Sequence, residues 1–205
     1  MQSFTRLPVS SRIGVMGLPP FHAYGVAVQL YLPVVSLVTA AVYAPRAVTD
    51  PRATPVIPTS GNMLEYATRT GCKALMTVPT FLEQWAVSQE NVEELKTFEV
   101  VVSGVLAYYC TRPRLNLFQA YSGGPLSETI GNNLCAAGVA VGTFYGGTEF
   151  GCPTVVRMKA DIKDGDWNWM RFSDDIKIRW VPHEDGSYEC QVLVGLRCML
   201  RFVEY

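Results

Sequence analysis

The sequence lacks an excess of either charge. Its 205 residues include 17 basic and 18 acidic residues, which leaves no electrostatic case for a nucleic-acid partner or for an anionic membrane surface. With 49% hydrophobic residues, the chain is long enough for one well-buried domain and at most a small appendage.

Paired cysteine motifs are also lacking. The six cysteines stand far apart, with no Cys-x-x-Cys pair and no Cys/His spacing that would build a zinc site. A secreted disulfide scaffold would be shorter and denser in cysteine. We therefore interpret the cysteines as reduced thiols and expect an intracellular, cytoplasmic protein.

Charge is missing from residues 13–45, apart from His22 when it is protonated. A membrane span needs about 20 apolar residues, and residues 25–43 come close to that length. Polar or helix-breaking residues interrupt the run: Gln29, Pro33, Ser36 and Thr39. We expect this segment to be buried in a core as a helix followed by a strand, with a small integral membrane protein as the alternative.

Strand-like and helix-like patterns alternate along the first three quarters of the chain. The predicted strands are 13–18, 37–43, 74–79, 98–103 and 139–142, and the predicted helices are 23–35, 63–70, 80–88, 91–96 and 125–137. This alternation predicts an α/β fold, a layered sheet with flanking helices. Beyond it, residues 175–181 and 188–194 alternate around the turn at 183–186, which predicts a small antiparallel β appendage. The corresponding domains would be 1–153 and 154–205.

Several helix boundaries carry local signals. Ser60 is a predicted N-cap and Gly71 the predicted end of the helix at 63–70. Thr80 and Glu83 have the spacing of a capping box, and Pro33 should bend or end its helix.

The stretch TFYGGTEFG, residues 143–151, follows a predicted buried strand. It combines an aromatic ring, two glycines, a hydroxyl and a carboxylate: Tyr145, Gly146, Gly147, Thr148 and Glu149. A flat ring can stack on a base, and glycine lets a ligand approach the backbone. A hydroxyl can bond a phosphate oxygen, and a carboxylate suits Mg²⁺ shared with phosphates. These residues can form a nucleotide site, but on their own they also fit a Gly-Gly turn with a solvated Glu149.

The segment YGGTE closely resembles the Tyr-Gly-x-Thr-Glu signature of adenylate-forming enzymes, the superfamily of acyl-CoA synthetases, nonribosomal-peptide adenylation domains and luciferases. LPPFHAYG (18–25) resembles the family's Pro-x-Phe-His-x-x-Gly element, and SGGPLS (122–127) its Gly-Gly-Ala/Pro-Pro-Leu loop. Fungal adenylate-forming reductases, which carry phrases like YGGTEFG and WxWMRFSD (here 167–174), are the most similar. The resemblance covers nearly the whole chain except 105–121 and the last dozen residues.

The resemblance implies an AMP-binding domain that activates a small carboxylic acid with ATP and Mg²⁺, forming an acyl-adenylate and pyrophosphate. The acyl group would then pass to the phosphopantetheine thiol of a carrier-protein domain, and in a reductase an NADPH domain would release the aldehyde. Tyr145 would stack on adenine, Thr148 would bind phosphate and Glu149 would hold Mg²⁺.

Two further sites follow from the same resemblance. Gly123, Gly124 and Pro125 would line the adenine and acyl site, although an ordinary helix-entry turn uses the same residues. His22 would border the acyl pocket as a substrate contact, although a His on an apolar segment is often structural.

The sequence departs from the family pattern in three places. No phosphate loop ending in lysine precedes His22, and the downstream ribose-binding Asp and the lid lysine are missing, so we expect a central slice of an adenylation domain that is inactive alone. Residues 105–122 interrupt the usual passage from strand to GGPLS. We interpret them as a retained intron, with a genuine surface insertion as the alternative. A non-catalytic remnant is the alternative function.

Three other polar or aromatic features have simpler interpretations. With no basic patch nearby, Trp167 and Trp169 are predicted to pack in the core. Asp174 and Asp175 are predicted to form a turn and not a metal pair, and His183 is expected to be solvated at a hairpin tip.

Overall fold

The structure is a computed structural model, and it describes residues 10–44, 50, 52–105, 108–112, 117–120, 126–146, 151–162 and 166–193, with backbone only for 105, 108–112 and 117–120. The described strands are β1 (Arg12–Gly14), β2 (Thr39–Ala41), β3 (Ala74–Thr77), β4 (Val100–Val105), β5 (Tyr108–Arg112), β6 (Leu117–Ala120), β7 (Val141–Tyr145), β8 (Thr154–Val155), β9 (Met170–Phe172), β10 (Lys177–Pro182) and β11 (Tyr188–Leu193). The described α-helices are α1 (Ala23–Val26), α2 (Leu32–Ser36), α3 (Ser60–Arg69), α4 (Pro79–Trp85), α5 (Gln89–Leu95) and α6 (Glu128–Ala136).

Five strands form a parallel sheet in the order β2-β1-β3-β4-β7. These strands are short and almost wholly apolar, as expected for a sheet covered on both faces. Helices connect them, so the predicted α/β fold class is confirmed. Because all five strands run the same way, their carboxyl ends meet at one edge of the sheet.

Side chains alternate between the two faces of this sheet and build two cores. On one face, Leu75, Val101 and Val141 pack with the buried sides of four helices, α3, α4, α5 and α6. We call these four helices the charged layer. On the other face, Met76 and Val102 pack with the buried side of the helical run at 23–36. We call this helical run the apolar layer.

The N-cap of the helix at 60–69 lies one residue before the predicted N-cap, Ser60. Thr59 is the N-cap, its side chain accepts from the Asn62 N–H at 3.2 Å, and the Asn62 side chain accepts from the Thr59 N–H in return. Ser60 is therefore already helical, because Thr59 completes a capping box that Ser60 cannot. The predicted end is confirmed by Gly71, which has φ of 66°.

The capping box predicted at Thr80 and Glu83 is wrong. Helix α4 begins at Pro79, and its N-cap Val78 makes no side-chain capping bond. Proline at the first helical position presets the backbone angle and has no N–H to satisfy, so the helix can start without a polar cap.

Pro33 neither ends nor interrupts the helical run at 23–36. Helix α1 passes into a π-helical turn at Ala27–Tyr31, and α2 follows directly with Pro33 in its first turn. The π turn shifts the hydrogen-bonding pattern just before the residue that cannot donate, which accommodates the proline ring. The run ends at Leu37, which adopts a left-handed conformation with φ of 53°.

The other described strands form two antiparallel sheets. Strands β10 and β11 form the predicted hairpin, with Gly186 at φ of 81° in its turn. A second antiparallel sheet has the order β5-β6-β9-β8. The division into domains 1–153 and 154–205, and the origin of residues 105–122, stay predictions.

Within the described ranges, no helix has both the length and the apolar character needed to cross a membrane.

Candidate functional site

The carboxyl edge of the parallel sheet contains the point where the strand order reverses. The chain leaving β1 enters the apolar layer on one face, whereas the chain leaving β3 enters α4 in the charged layer on the other. Open α/β sheets bind ligands in the crevice between such strand ends. The ends of β4 and β7 lie along the same edge.

Three hydroxyl side chains form a row across this end of the sheet. Thr77, Ser103 and Thr143 are in register on β3, β4 and β7, and all three are buried. Thr143 Oγ1 donates to the Trp167 carbonyl at 3.3 Å. The other two hydroxyls have no hydrogen-bond partner among the described residues. A buried hydroxyl left unpaired costs about 1–3 kcal/mol, so these two groups could bind a polar ligand atom or a water.

Tyr24 lies across the ends of β4 and β7 on the opposite face. Its ring stacks on Phe144 with 5.5 Å between centroids, and it covers Gly104, where an added Cβ would lie 2.3 Å from Tyr24 Cε1. Its hydroxyl is inaccessible to solvent and has no hydrogen-bond partner in the described part of the chain. Burial raises the pKa of Tyr24, so it stays a neutral phenol.

The base of the loop that follows β7 is closed by Thr154. The Tyr145 N–H donates to Thr154 Oγ1 at 3.0 Å, and Thr154 Oγ1 donates back to the Tyr145 carbonyl at 3.1 Å. A Cβ on Gly146 would lie 2.7 Å from the Gly151 carbonyl oxygen, so glycine is required there by the protein's own backbone. The two ends of the loop are thus held together.

Most of the predicted site residues lie outside the described residues. These are Gly123, Gly124, Pro125, Gly147, Thr148 and Glu149. Their roles stay predictions.

Tyr145 is described, and its ring is buried. It packs edge-on against Phe172 with 6.4 Å between centroids, in a cluster that includes Met170 and Cys190. Only 3% of the residue is exposed, so a base could stack on it only if neighbouring side chains uncovered one face of the ring. Stacking on adenine stays a prediction.

His22 is exposed and is the N-cap of α1. Its Nδ1 accepts a hydrogen bond from the Tyr24 N–H at 3.2 Å, which leaves Nε2 as the ring atom that could contact a ligand. The structure therefore gives His22 a capping role and places it where β1 passes into the apolar layer, beside the strand-order reversal.

Cys152 follows the loop and is a free thiol. Its Sγ donates to the Thr154 carbonyl at 3.5 Å. Burial raises its pKa to about 11, although its hydrogen bonds to Thr154 oppose that rise. The thiol is therefore neutral and a poor nucleophile near pH 7.

The described ranges contain no group of three or more His, Cys, Asp or Glu side chains that could hold a metal ion. Magnesium shared with a nucleotide does not need such a group, because one or two carboxylates and the phosphates suffice. Glu149 as the protein ligand is compatible with that chemistry.

The other residues that the sequence singled out, Trp167, Asp174 and His183, have packing, ion-pair or solvent-exposed positions, and their side chains lie outside the candidate site. Trp167 is buried in the core of the charged layer, and its Nε1 donates to Asn132 Oδ1 at 2.8 Å, which confirms the predicted packing. Asp174 pairs with Arg171 at 3.0 Å in a turn. His183 is exposed at the hairpin tip, as predicted.

Three site features escaped the sequence prediction: Tyr24, Thr77 and Ser103. Thr77 and Ser103 each follow an apolar run, which is a weak signal until the strands are in register. Tyr24 lies two residues after His22, inside a segment already singled out.

Comparison with known proteins identifies several similar fungal sequences, of which two are described here, while no family model matches. The chain is 45% identical over 181 residues to the adenylate-forming reductase Nps9 of Serpula lacrymans, and 44% identical over 187 residues to Nps11 of the same organism. The alignments cover 88% and 91% of this chain. The chain spans about 15% of the length of these relatives.

A solved structure shows the same fold. The ATP-bound MatB from Rhodopseudomonas palustris matches with a TM-score of 0.59 and 17% identity, over 92% of this chain and 31% of that one. At that identity the likeness concerns the fold alone.

Proposed function

The chain belongs to the adenylate-forming superfamily, and on that premise we propose that it is the part of an ATP-dependent, carboxylate-activating domain that binds the nucleotide and borders the acyl site. The 45% identity to an adenylate-forming reductase across 88% of the chain carries this proposal. The strand-order reversal at the carboxyl edge and the closed base of the loop after β7 support it.

In this proposal Thr148 binds phosphate, and Glu149 holds Mg²⁺, which when bound would neutralise the phosphate charge. Gly123, Gly124, Pro125 and Gly147 let the nucleotide approach the backbone. Tyr145 stacks on adenine, which requires its ring to be uncovered on one face. Positioning and charge neutralisation then provide most of the rate enhancement.

The carboxylic acid is proposed to lie at the same edge. His22 contacts it through Nε2, and the unpaired hydroxyls of Thr77 and Ser103 supply hydrogen bonds to its polar atoms or to intervening water. The acyl group would pass to a carrier domain outside this segment, with NADPH chemistry elsewhere in a reductase. A cytoplasmic location likewise stays a prediction.

A chimera tests the proposal. The homologous segment of Nps9 is replaced by this chain, with and without residues 105–122, and ATP–pyrophosphate exchange is measured with a panel of carboxylic acids. We expect exchange in the chimera without residues 105–122. The variant Glu149→Ala should reduce it by about 100-fold or more because the metal ligand is lost, whereas the exposed Glu184→Ala should leave it unchanged.

The outcomes separate the alternatives. Exchange that survives Glu149→Ala would refute the metal assignment. A folded chimera without any exchange would favour the non-catalytic remnant, and exchange only in the presence of residues 105–122 would favour a genuine insertion. Transcript sequencing across 105–122 tests the retained intron directly. Acyl-adenylate formation by the purified chain alone would contradict the proposal that it acts as part of a larger domain.

A further inference from the structure

We propose that Trp167 is a positioning residue for nucleotide binding. It fixes helix α6 to strand β7, and these two elements join the two chain segments that the proposed function assigns to the nucleotide. Trp167 acts through these elements and does not touch the nucleotide itself. Because it concerns nucleotide binding, this role of Trp167 rests on the proposed function.

The two segments stand at opposite ends of one helix–strand unit in the sequence. Residues 123–125 directly precede Leu126 and α6, and residues 146–149 directly follow β7. Leu126 is buried and belongs to the same core cluster as Trp167. A shift of α6 relative to β7 would therefore change the distance between Leu126 and Gly146, the described residues that border the two segments.

The side chain of Trp167 is fixed on α6 by a close contact and a hydrogen bond. Its ring lies over Gly131, where an added Cβ would be 2.0 Å from Trp167 Cζ2. Its Nε1 donates to Asn132 Oδ1 at 2.8 Å. A buried indole N–H needs such a partner, and the bond sets the direction in which the ring points. The helix therefore cannot move along the ring without breaking the bond.

The main chain of Trp167 contacts the strand. Its carbonyl accepts a hydrogen bond from Thr143 Oγ1 at 3.3 Å, and Thr143 is a buried residue of β7, two positions before Tyr145. A single residue thus bonds to the helix through its side chain and to the strand through its carbonyl.

The turn that contains Trp167 is itself held by Arg157, whose side chain is mostly buried. Arg157 Nη1 donates to the Asp166 carbonyl at 2.8 Å and to the Trp169 carbonyl at 3.2 Å, and Nη2 donates to the Asp161 carbonyl at 2.7 Å. Hydrogen bonds from a charged donor are among the stronger ones. The Arg157 carbonyl lies beside β7, 3.5 Å from the position of a Cβ added to Gly142. The turn is therefore held against the strand.

The other fully buried tryptophan of this core gives the contrast. Trp85 Nε1 also donates a hydrogen bond, to the Ser60 carbonyl at 2.7 Å. That bond joins α4 to α3, and neither helix leads into a segment assigned to the nucleotide. The two tryptophans thus share burial and bonding but differ in the elements that they connect.

Kinetics of ATP–pyrophosphate exchange in the Nps9 chimera without residues 105–122 test this role. Trp167→Phe removes the Nε1 donor, and Asn132→Leu removes its acceptor. Each should raise the KM for ATP about fivefold or more at saturating carboxylic acid, because a displaced segment binds the nucleotide less well. A residue that only stabilises the fold would lower the amount of active protein, and with it the maximal rate, without changing KM.

Three further variants identify the hydrogen bond as the cause. Asn132→Asp keeps an acceptor oxygen and should restore the KM for ATP to nearly the wild-type value. The double variant Trp167→Phe/Asn132→Leu should be no worse than Trp167→Phe alone, because both changes remove the same bond. Trp85→Phe is the matched control, since it removes a buried indole donor from the same core, and it should leave KM unchanged.

An unchanged KM for ATP in an active Trp167→Phe or Asn132→Leu chimera would overturn the role of Trp167 while the proposed function stands. An equal rise of KM in Trp85→Phe would also overturn it, because the effect would then follow from lost stability of the core.

A wild-type chimera without exchange activity would instead contradict the proposed function. Hydrogen–deuterium exchange of the 205-residue chain then tests the coupling of α6 to β7 without any activity. Asn132→Leu should speed amide exchange about fivefold in peptides from both elements, as expected for the loss of one hydrogen bond. Trp85→Phe should leave β7 unaffected. Faster exchange that is confined to α6 would overturn the coupling on which the role of Trp167 depends.

Discussion

The two helical layers cover the same parallel sheet, yet they differ in what their outer surfaces carry. Both bury a close-packed inner side, with Trp85 and Leu95 in the charged layer and Val28 and Leu32 in the apolar layer. Only the charged layer is amphipathic. The side chains on the inner side of a helix are thus set by the sheet that they pack against, whereas those on the outer side are set by the surroundings of that side.

The largest expected effect tests whether both layers are packed to the same degree. Trp85→Ala removes a fully buried ring that stacks on Phe81 and whose Nε1 donates to the Ser60 carbonyl at 2.7 Å, so it should cost about 3–5 kcal/mol of unfolding free energy. Leu32→Ala, in the apolar layer, should cost about 2–5 kcal/mol. Urea denaturation of the isolated chain measures both. A loss near zero for Leu32→Ala would contradict the packing of the apolar layer against the sheet.

Two helical glycines in the charged layer sharpen the packing comparison. An alanine Cβ at Gly131 would lie 2.0 Å from Trp167 Cζ2, so Gly131→Ala should destabilise by about 1–3 kcal/mol. Gly61→Ala is the matched control, because no atom lies within 4 Å of the added Cβ. It should stabilise by about 0.5–1 kcal/mol through lower backbone entropy in the unfolded chain. In thermal unfolding, Gly131→Ala should lower the melting temperature and Gly61→Ala should raise it. Changes of the same sign would contradict the close packing of Trp167 against Gly131.

The smallest expected effect is a difference in pH dependence. Cys152 and Tyr24, in the apolar core, have ordinary pKa values of 9.0 and 10.0 that burial raises, so stability should hold below pH 9 and fall as pH rises further. By about pH 10.5 the Cys152 share of the loss should reach about 1–2 kcal/mol. Urea midpoints at about pH 8 and pH 10.5 measure the fall, which Cys152→Ala should reduce.

The charged layer should respond at the other end of the pH scale. Hydrogen bonds from Lys96 and then Gln89 lower the pKa of Glu93, so its contribution is present above the ordinary value of 4.5 and is lost as pH falls below it. The pair is exposed, so the effect is small. Alkaline loss that is unchanged in Cys152→Ala would show that Cys152 does not contribute to it.

Much of the fold could be predicted because periodicity and glycine positions are local signals. The five parallel strands coincide with apolar runs, and Gly71 ends its helix as expected. Their order could not be predicted, because a strand buried on both faces carries no mark of its neighbours. Boundaries were missed where a neighbour outcompeted the predicted residue, as Thr59 did at Ser60 and Pro79 at Thr80.

The candidate site likewise contains residues that the sequence could predict and residues that it could not. The motif residues around Tyr145 are contiguous, so sequence alone singles them out. Thr77 and Ser103 are far apart in the chain and become a site feature only when β3 and β4 pair in register. The ring of Tyr145 is buried against Phe172, which lies on a later strand, β9. The spacing of the two residues in the sequence could not predict this contact.

The two hydrogen bonds between Thr154 and Tyr145 hold the ends of the loop, and neither bond involves the loop residues themselves. Because the exit and return of the chain are held by residues on either side, we expect exchange of the four residues from 147 to 150 to leave both bonds in place. Chemistry at this edge can therefore diverge by local substitution while the sheet beneath it stays the same.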